Sequence, residues 1–104
     1  PPPTTFPTKL WRLVADPSTN DVVYFVGRCF VIVDTDRFLE QVLPQAFKQT
    51  KWTSFKRQIN LYGFRHEHNT FYHELFLPSH PGLCQFMKPK HGCVENGTLK
   101  VSTS

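Results

Sequence analysis

From Lys51 to Phe64 the chain reads KWTSFKRQINLYGF, and this run limits the possible folds more than any other. At about 100° per residue, Trp52, Phe55, Ile59 and Tyr62 fall within one arc of about 80°. The spacing predicts a helix over 51–62, with Thr50 or Thr53 as N-cap and Gly63 as the C′ terminator. Immediately behind it, FRHEH and FYHELFL read as two strands around Asn69-Thr70; that pair is not the favoured Asn-Gly, so a slightly longer loop is an equal alternative. A helix that passes at once into a hairpin needs other elements to cover its apolar stripe.

The preceding residues supply them. TKLWRLVADP gives Leu10, Trp11, Leu13 and Val14 one broad apolar face, with Thr8 as N-cap and Pro17 as a stop, so a first helix is expected at 8–15. VVYFVGRCFVIV is β-branched and aromatic with Gly27 between its halves, which predicts two short strands. Asp34 or Thr35 caps a second helix carrying Phe38, Leu39, Val42 and Leu43, and Pro44 should end or kink it. Pro1–Thr5 is an extended lead-in, and 91–104 reads as a polar, loose tail. The order helix, hairpin, helix, helix, hairpin predicts an α+β fold. It is a winged helix-turn-helix: three helices on an antiparallel sheet of about four strands, with a short wing.

Charge is unevenly spread. The 104 residues carry a formal net charge of +4. Lys48, Lys51, Lys56, Arg57 and Arg65 fall within residues 48–66, a segment without a single acid. The positive excess therefore lies on or beside one helix, the pattern of a surface that meets phosphates. No apolar run approaches the roughly 20 residues of a membrane span, so a soluble chain without a membrane partner is expected. Three cysteines without CxxC spacing argue against a disulfide framework and for a reducing compartment, with Cys29 as a buried small side chain.

On the predicted helix, Arg57 points away from the apolar stripe, flanked by Thr53, Ser54, Asn60 and Leu61. Its guanidinium offers the planar pair of donors that matches guanine O6 and N7 in a major groove. Ser54 and Asn60 suit phosphate or water-bridged contacts. Leu61 suits a thymine methyl, which makes it a secondary candidate together with Lys56. Lys48 and Lys51 crowd the helix start, where the dipole disfavours cations unless an anion is present. The competing reading is a solvated back face on a packing helix. A further alternative is a winged-helix module that uses the same basic face for an acidic protein or RNA.

The residues resemble the DNA-binding domain of the heat shock transcription factor family, from about Phe6 to Leu77. The most specific piece is SFKRQINLYGF at 54–64, similar to the family's S-F-x-R-Q-L-N-M/L-Y-G-F. FPTKLWRLVADP at 6–17, FVIVD at 30–34, VLPQAFK at 42–48 and FYHELF at 71–76 support it in order. The resemblance implies a family-type domain at 6–90 whose third helix lies in the major groove of inverted nGAAn repeats, with Arg57 on the guanine. Ser54, Asn60, Tyr62 and Lys48 would join the DNA-facing set mostly at phosphates, with Arg65 nearby. It also implies a nuclear, stress-linked transcription factor that assembles with its own copies through a coiled coil outside this chain. The sequence departs from the family pattern in a wing shortened to HEHNTF, Pro78 after F-L, Phe25 near a usual tryptophan, and Lys51-Trp52 before the helix.

Other chemistries have little support. With a two-residue turn at Asn69-Thr70, His66 and His73 would face each other with His68 on the same side, a conceivable metal site. His80, Cys84, His91 and Cys93 match no zinc spacing. There is no nucleophile elbow and no phosphate-binding glycine loop, and Asp34 and Asp36 read as capping and dipole partners. No cofactor, metal or enzymatic activity is expected. LYGF and LCQF are expected to complete the core.

Overall fold

The computed structural model of the protein describes residues 5–89. The segment 91–104 expected to be a tail, most of the expected lead-in, and His91 and Cys93 fall outside the described residues.

The first helix, α1, spans Phe6–Ala15, two residues earlier than its sequence suggests. Pro7 explains the shift: its fixed φ suits the first turn, and its missing N–H would have had no helical partner there. Thr5, not Thr8, occupies the N-cap, and the two hydroxyls lie 3.2 Å apart. Asp16 ends the helix and caps the 3-10 turn Pro17–Thr19, accepting from the Ser18 amide at 2.9 Å and the Ser18 hydroxyl at 2.8 Å.

The hairpin β1 (Val23–Val26) and β2 (Cys29–Ile32) turns through Gly27 and Arg28, with Gly27 at φ +59°. The second helix, α2, is composite. One α-helical turn at Thr35–Arg37 is capped as expected by Asp34, whose carboxylate accepts from the Arg37 amide at 3.1 Å. A π-turn at Phe38–Val42 follows, then a 3-10 turn at Leu43–Gln45. Pro44 accounts for the break, since its ring cannot sit against the carbonyl four residues back and has no N–H to give.

The third helix, α3 (Trp52–Leu61), passes into the second hairpin, β3 (Arg65–Glu67) and β4 (Thr70–Tyr72). The four strands form one antiparallel sheet in the order β1-β2-β4-β3. Its wing turn lies one residue earlier than the two-residue turn considered from the sequence. Glu67 pairs with Thr70, so the turn is His68-Asn69, with His68 at φ +57°. Moving a two-residue turn by one position shifts each cross-strand partner by two, so His66 lies opposite Phe71, not His73, and the proposed histidine pair does not form. The imidazole of His66 packs on Phe71 and that of His73 meets Phe64 edge-on. Among the described residues, no three of His, Cys, Asp and Glu converge in metal-binding geometry.

FYHELFL is also a shorter strand than its composition suggests. The His73 Nδ1 accepts from the Leu75 amide at 3.0 Å, and this local turn takes the chain out of the sheet. The returning segment is tied to α1 by Trp11, whose indole N–H donates to the Leu77 carbonyl at 2.8 Å.

Phenylalanine dominates the core. Phe30 and Phe71, opposite each other on β2 and β4, stack at 4.9 Å, and Phe38, Phe55, Phe64 and Phe76 complete the cluster. Cys84 and Met87 close it from the C-terminal side. Burial raises the Cys84 thiol pKa, and its Sγ donates to the Pro81 carbonyl. Cys29 is half-buried, not buried, because its strand position faces away from this core. LYGF and LCQF enter the core only in part: Phe64 and Cys84 are buried, but Leu61 is 37 % and Phe86 61 % exposed.

Candidate nucleic-acid interface

The backbone of α3 is fixed more firmly at its end than at its start. Lys51 is the N-cap, and no side chain caps the first turn, although Thr50 or Thr53 was expected to do so. Thr53 cannot, because it is already inside the helix, where the first bond runs from the Phe55 amide to the Lys51 carbonyl. At the other end, Gly63 at φ +82° donates to the Asn60 carbonyl and Phe64 donates to that of Ile59. This is a complete Schellman closure with its usual apolar contact, since Phe64 and Ile59 are both buried. The closure fixes where β3 and Arg65 begin.

Phe55 and Ile59 are buried, while Trp52 and Tyr62 are half-buried at the two ends of the same stripe. The opposite face carries Thr53, Arg57, Asn60 and Leu61 in solvent, with Ser54 half-exposed. Tyr62 belongs to the packing set by its ring, which stacks on Phe6, and among the described residues no hydrogen bond engages its hydroxyl.

Arg57 projects outward. Among the described residues the ion pair is Arg37–Asp21 at 2.9 Å, and no carboxylate holds Arg57. Lys48, Lys51 and Arg65 are likewise exposed and unpaired. Lys56 is half-exposed, with its Nζ 5.5 Å from the centre of the Trp52 ring.

A groove of about 350 Å³ runs between α1, the segment after α2, and α3. Phe6, Phe47 and Phe55 contribute its apolar wall, Lys9, Lys48 and Arg57 its cations, and no acid lines it among the described residues. Lys9 was absent from the sequence-predicted set. It is far from the 48–66 cluster in sequence, and the packing of Phe6 on Phe47, Phe55 and Tyr62 brings the start of α1 to this side. Its Nζ stands 5.6 Å from the centre of the Phe47 ring, which orients it along the groove. A length-only signal would not find it. The lysine three residues after an aromatic at the helix start was the available hint.

Arg65 opens β3 opposite Tyr72, beside a small polar hollow shared with Gly63, His73 and Glu74. The wing turn beyond it carries no lysine or arginine between residues 66 and 70. The positive potential is therefore concentrated on α3 and its two neighbouring segments, without a contribution from the wing tip. Such an arrangement suits a polyanion that receives a helix, because a protruding helix face bears exposed donors and the surrounding rim bears unpaired cations.

Comparison with known proteins agrees. The family model described as HSF-type DNA-binding matches residues 6–90. Heat shock factor protein 4 of Danio rerio is 37 % identical over 112 residues, which cover 92 % of this chain and 25 % of the relative. Heat shock factor protein 4 of Homo sapiens is 46 % identical over 66 residues, covering 62 % of this chain and 13 % of the relative. The chain thus spans about a quarter or less of the length of these relatives. Among solved structures, Chaetomium thermophilum Skn7 with SSRE DNA superposes with a TM-score of 0.75 at 30 % identity, covering 82 % of this chain and 98 % of that one. A heat shock transcription factor DNA-binding domain with cognate DNA, in a head-to-head orientation, gives 0.58 at 32 % identity over 64 % of this chain and 92 % of that one. With the family model spanning all three helices and the whole sheet, this chain belongs to the family of HSF-type DNA-binding domains.

Proposed function

We propose that this domain reads double-stranded DNA by sequence, as the recognition part of a heat-shock-factor-like transcription factor. In this reading α3 lies in the major groove of GAA-type repeats. One observation carries it: Arg57 stands in solvent at the middle of the outward face of a helix anchored by buried Phe55 and Ile59, with no carboxylate among the described residues to neutralise it. A guanidinium so placed donates two parallel N–H groups to guanine O6 and N7.

Lys48, Lys51, Ser54, Asn60, Arg65 and the Tyr62 hydroxyl serve the sugar-phosphate backbone or bridging waters and fix the register of the helix. Leu61, 37 % exposed on the reading face, meets a thymine methyl. Lys9 adds a phosphate contact from α1. A single copy bound to one repeat has modest affinity. The longer protein acts in the nucleus and gains affinity when copies joined by a coiled coil outside this chain occupy adjacent inverted repeats.

Fluorescence anisotropy with a GAA-repeat duplex and a scrambled duplex at fixed salt tests the reading. Arg57→Ala should cost about 1–3 kcal/mol on the GAA duplex and flatten the preference. Lys48→Ala should weaken both duplexes alike and make the salt slope shallower by about 1. Equal affinity of the unaltered domain for the two duplexes would refute it.

A further inference from the structure

The two flanks of α3 are built differently. Ser54 and Gln58 border the groove that holds Lys9 and Lys48. Lys56 is two residues from Ser54, about 160° away round the helix, and so leaves by the other flank. There its ammonium lies against the Trp52 ring, 5.5 Å from the centroid. That ring is itself held, stacked on the buried Phe55 at 5.5 Å and 23°. A free lysine side chain is among the most mobile in rotamer terms. This one has a rigid aromatic platform one helical turn before it. A ring face orients the ammonium but leaves its charge intact, unlike a carboxylate partner.

We propose that Trp52 is a positioning residue, parking the Lys56 ammonium where it meets the phosphates of the DNA strand opposite to the one served by Lys48. The inference rests on the orientation proposed above. A helix about 10–12 Å across, seated in a major groove about 12 Å wide, turns each flank toward a different backbone. Lys48, across the groove from Ser54, takes one strand, and Lys56 takes the other. The domain thereby gains a second-strand anchor from within the recognition helix, while its wing turn supplies no cation.

The test combines a mutant cycle with neutralised phosphates. On both the GAA and the scrambled duplex, Lys56→Met should weaken binding about three- to tenfold and reduce the salt slope by about 1. Trp52→Leu should weaken binding about twofold or more when Lys56 is present and have no further effect in Trp52→Leu/Lys56→Met. Trp52→Phe, which keeps a ring, should restore most of the affinity. A purely structural role for Trp52 would lower the melting temperature and weaken DNA equally in both backgrounds, which would overturn the proposal. Single methylphosphonates walked along each strand then locate the contacts. The position that no longer matters in Lys56→Met should lie on the strand opposite to the one that no longer matters in Lys48→Ala; the same strand for both would also overturn it. If the strand pattern holds but the domain shows no GAA preference, the sequence-reading proposal fails and this one stands. If the preference holds and the pattern is absent, this one fails alone.

Discussion

The ring of Phe6, in the first turn of α1, stacks on the ring of Tyr62, the C-cap of α3, with centroids 5.6 Å and planes 21° apart. The start of the first helix is thereby fastened to the end of the DNA-facing one. Phe6 also packs on Phe47 and Phe55, with centroids 5.3 and 6.0 Å away, so one side chain ties the start of α1 to both other walls of the groove. Tyr62 accordingly has two separable parts, a packed ring and an unengaged hydroxyl.

Tyr62→Phe should keep the stack and leave the melting temperature within about 2 °C, since only an oxygen without a hydrogen-bond partner among the described residues is lost. Its affinity for GAA and scrambled duplexes should fall together, by about two- to tenfold, if the hydroxyl serves a phosphate. Phe6→Ala removes the stack itself and should cost about 1–3 kcal/mol of stability in urea denaturation. A Tyr62→Phe domain that binds DNA as well as the unaltered one would remove Tyr62 from the contact set.

The parts of this architecture that were legible in sequence are those with local chemical causes. The stripe of α3, the left-handed Gly63 and the Asp34 cap each depend on a few adjacent residues. The π-turn was not legible, because Phe38, Leu39, Val42 and Leu43 show the same apolar spacing whether the helix is regular or widened. The wing turn was misplaced by one residue because Asn69 is an ordinary turn residue, and nothing local marks His68 over Asn69 as the one that takes positive φ. Lys9 and the Trp52 platform for Lys56 were missed for another reason: each depends on which rings lie beneath a lysine, and charge counting does not record that.

Gly63 joins the reading helix to the wing. At φ +82° an added Cβ meets the steric penalty of the left-handed region, so Gly63→Ala should cost about 1–2 kcal/mol. For a domain of this size that is a fall of several degrees in melting temperature. Because the Phe64 amide would be pulled from the Ile59 carbonyl, DNA affinity should drop with stability. Amide exchange at Gly63 and Phe64 is the direct measurement.

Asp16 gives the fold a local acid response. Hydrogen bonds from the Ser18 amide and then the Ser18 hydroxyl hold its carboxyl below the usual carboxylate range. A folded-state pKa depressed in this way contributes stability that is fully present above the unfolded value. It is lost as pH falls through the folded value, so the window lies from about pH 4 downward. Asp16→Ala should therefore flatten the pH dependence of the melting temperature below about pH 4 and leave DNA binding at neutral pH unchanged. An acid limb as steep as that of the unaltered domain would show that the Asp16 cap has no part in it.

The two hairpins bend the same way with different residues. Val26 pairs with Cys29 around Gly27-Arg28, and Glu67 pairs with Thr70 around His68-Asn69. Each turn has its positive φ at the first central residue, +59° at Gly27 and +57° at His68. Glycine takes that conformation freely; a side chain with a Cβ pays roughly 1–2 kcal/mol for it. The His68 imidazole is exposed and makes no compensating contact among the described residues. His68→Gly should relieve the strain, and the greater freedom of glycine in the unfolded chain offsets part of that gain. A net stabilisation of about 0.5 kcal/mol is expected, with an unchanged urea m-value. His68→Val should destabilise by about 1 kcal/mol or more, since a β-branched residue tolerates positive φ least. Neither change should alter the preference for GAA over scrambled DNA, because the turn carries no cation and lies beyond Arg65. A loss of that preference in His68→Gly would mean that the wing helps to read the sequence, and the reading surface would then extend past α3.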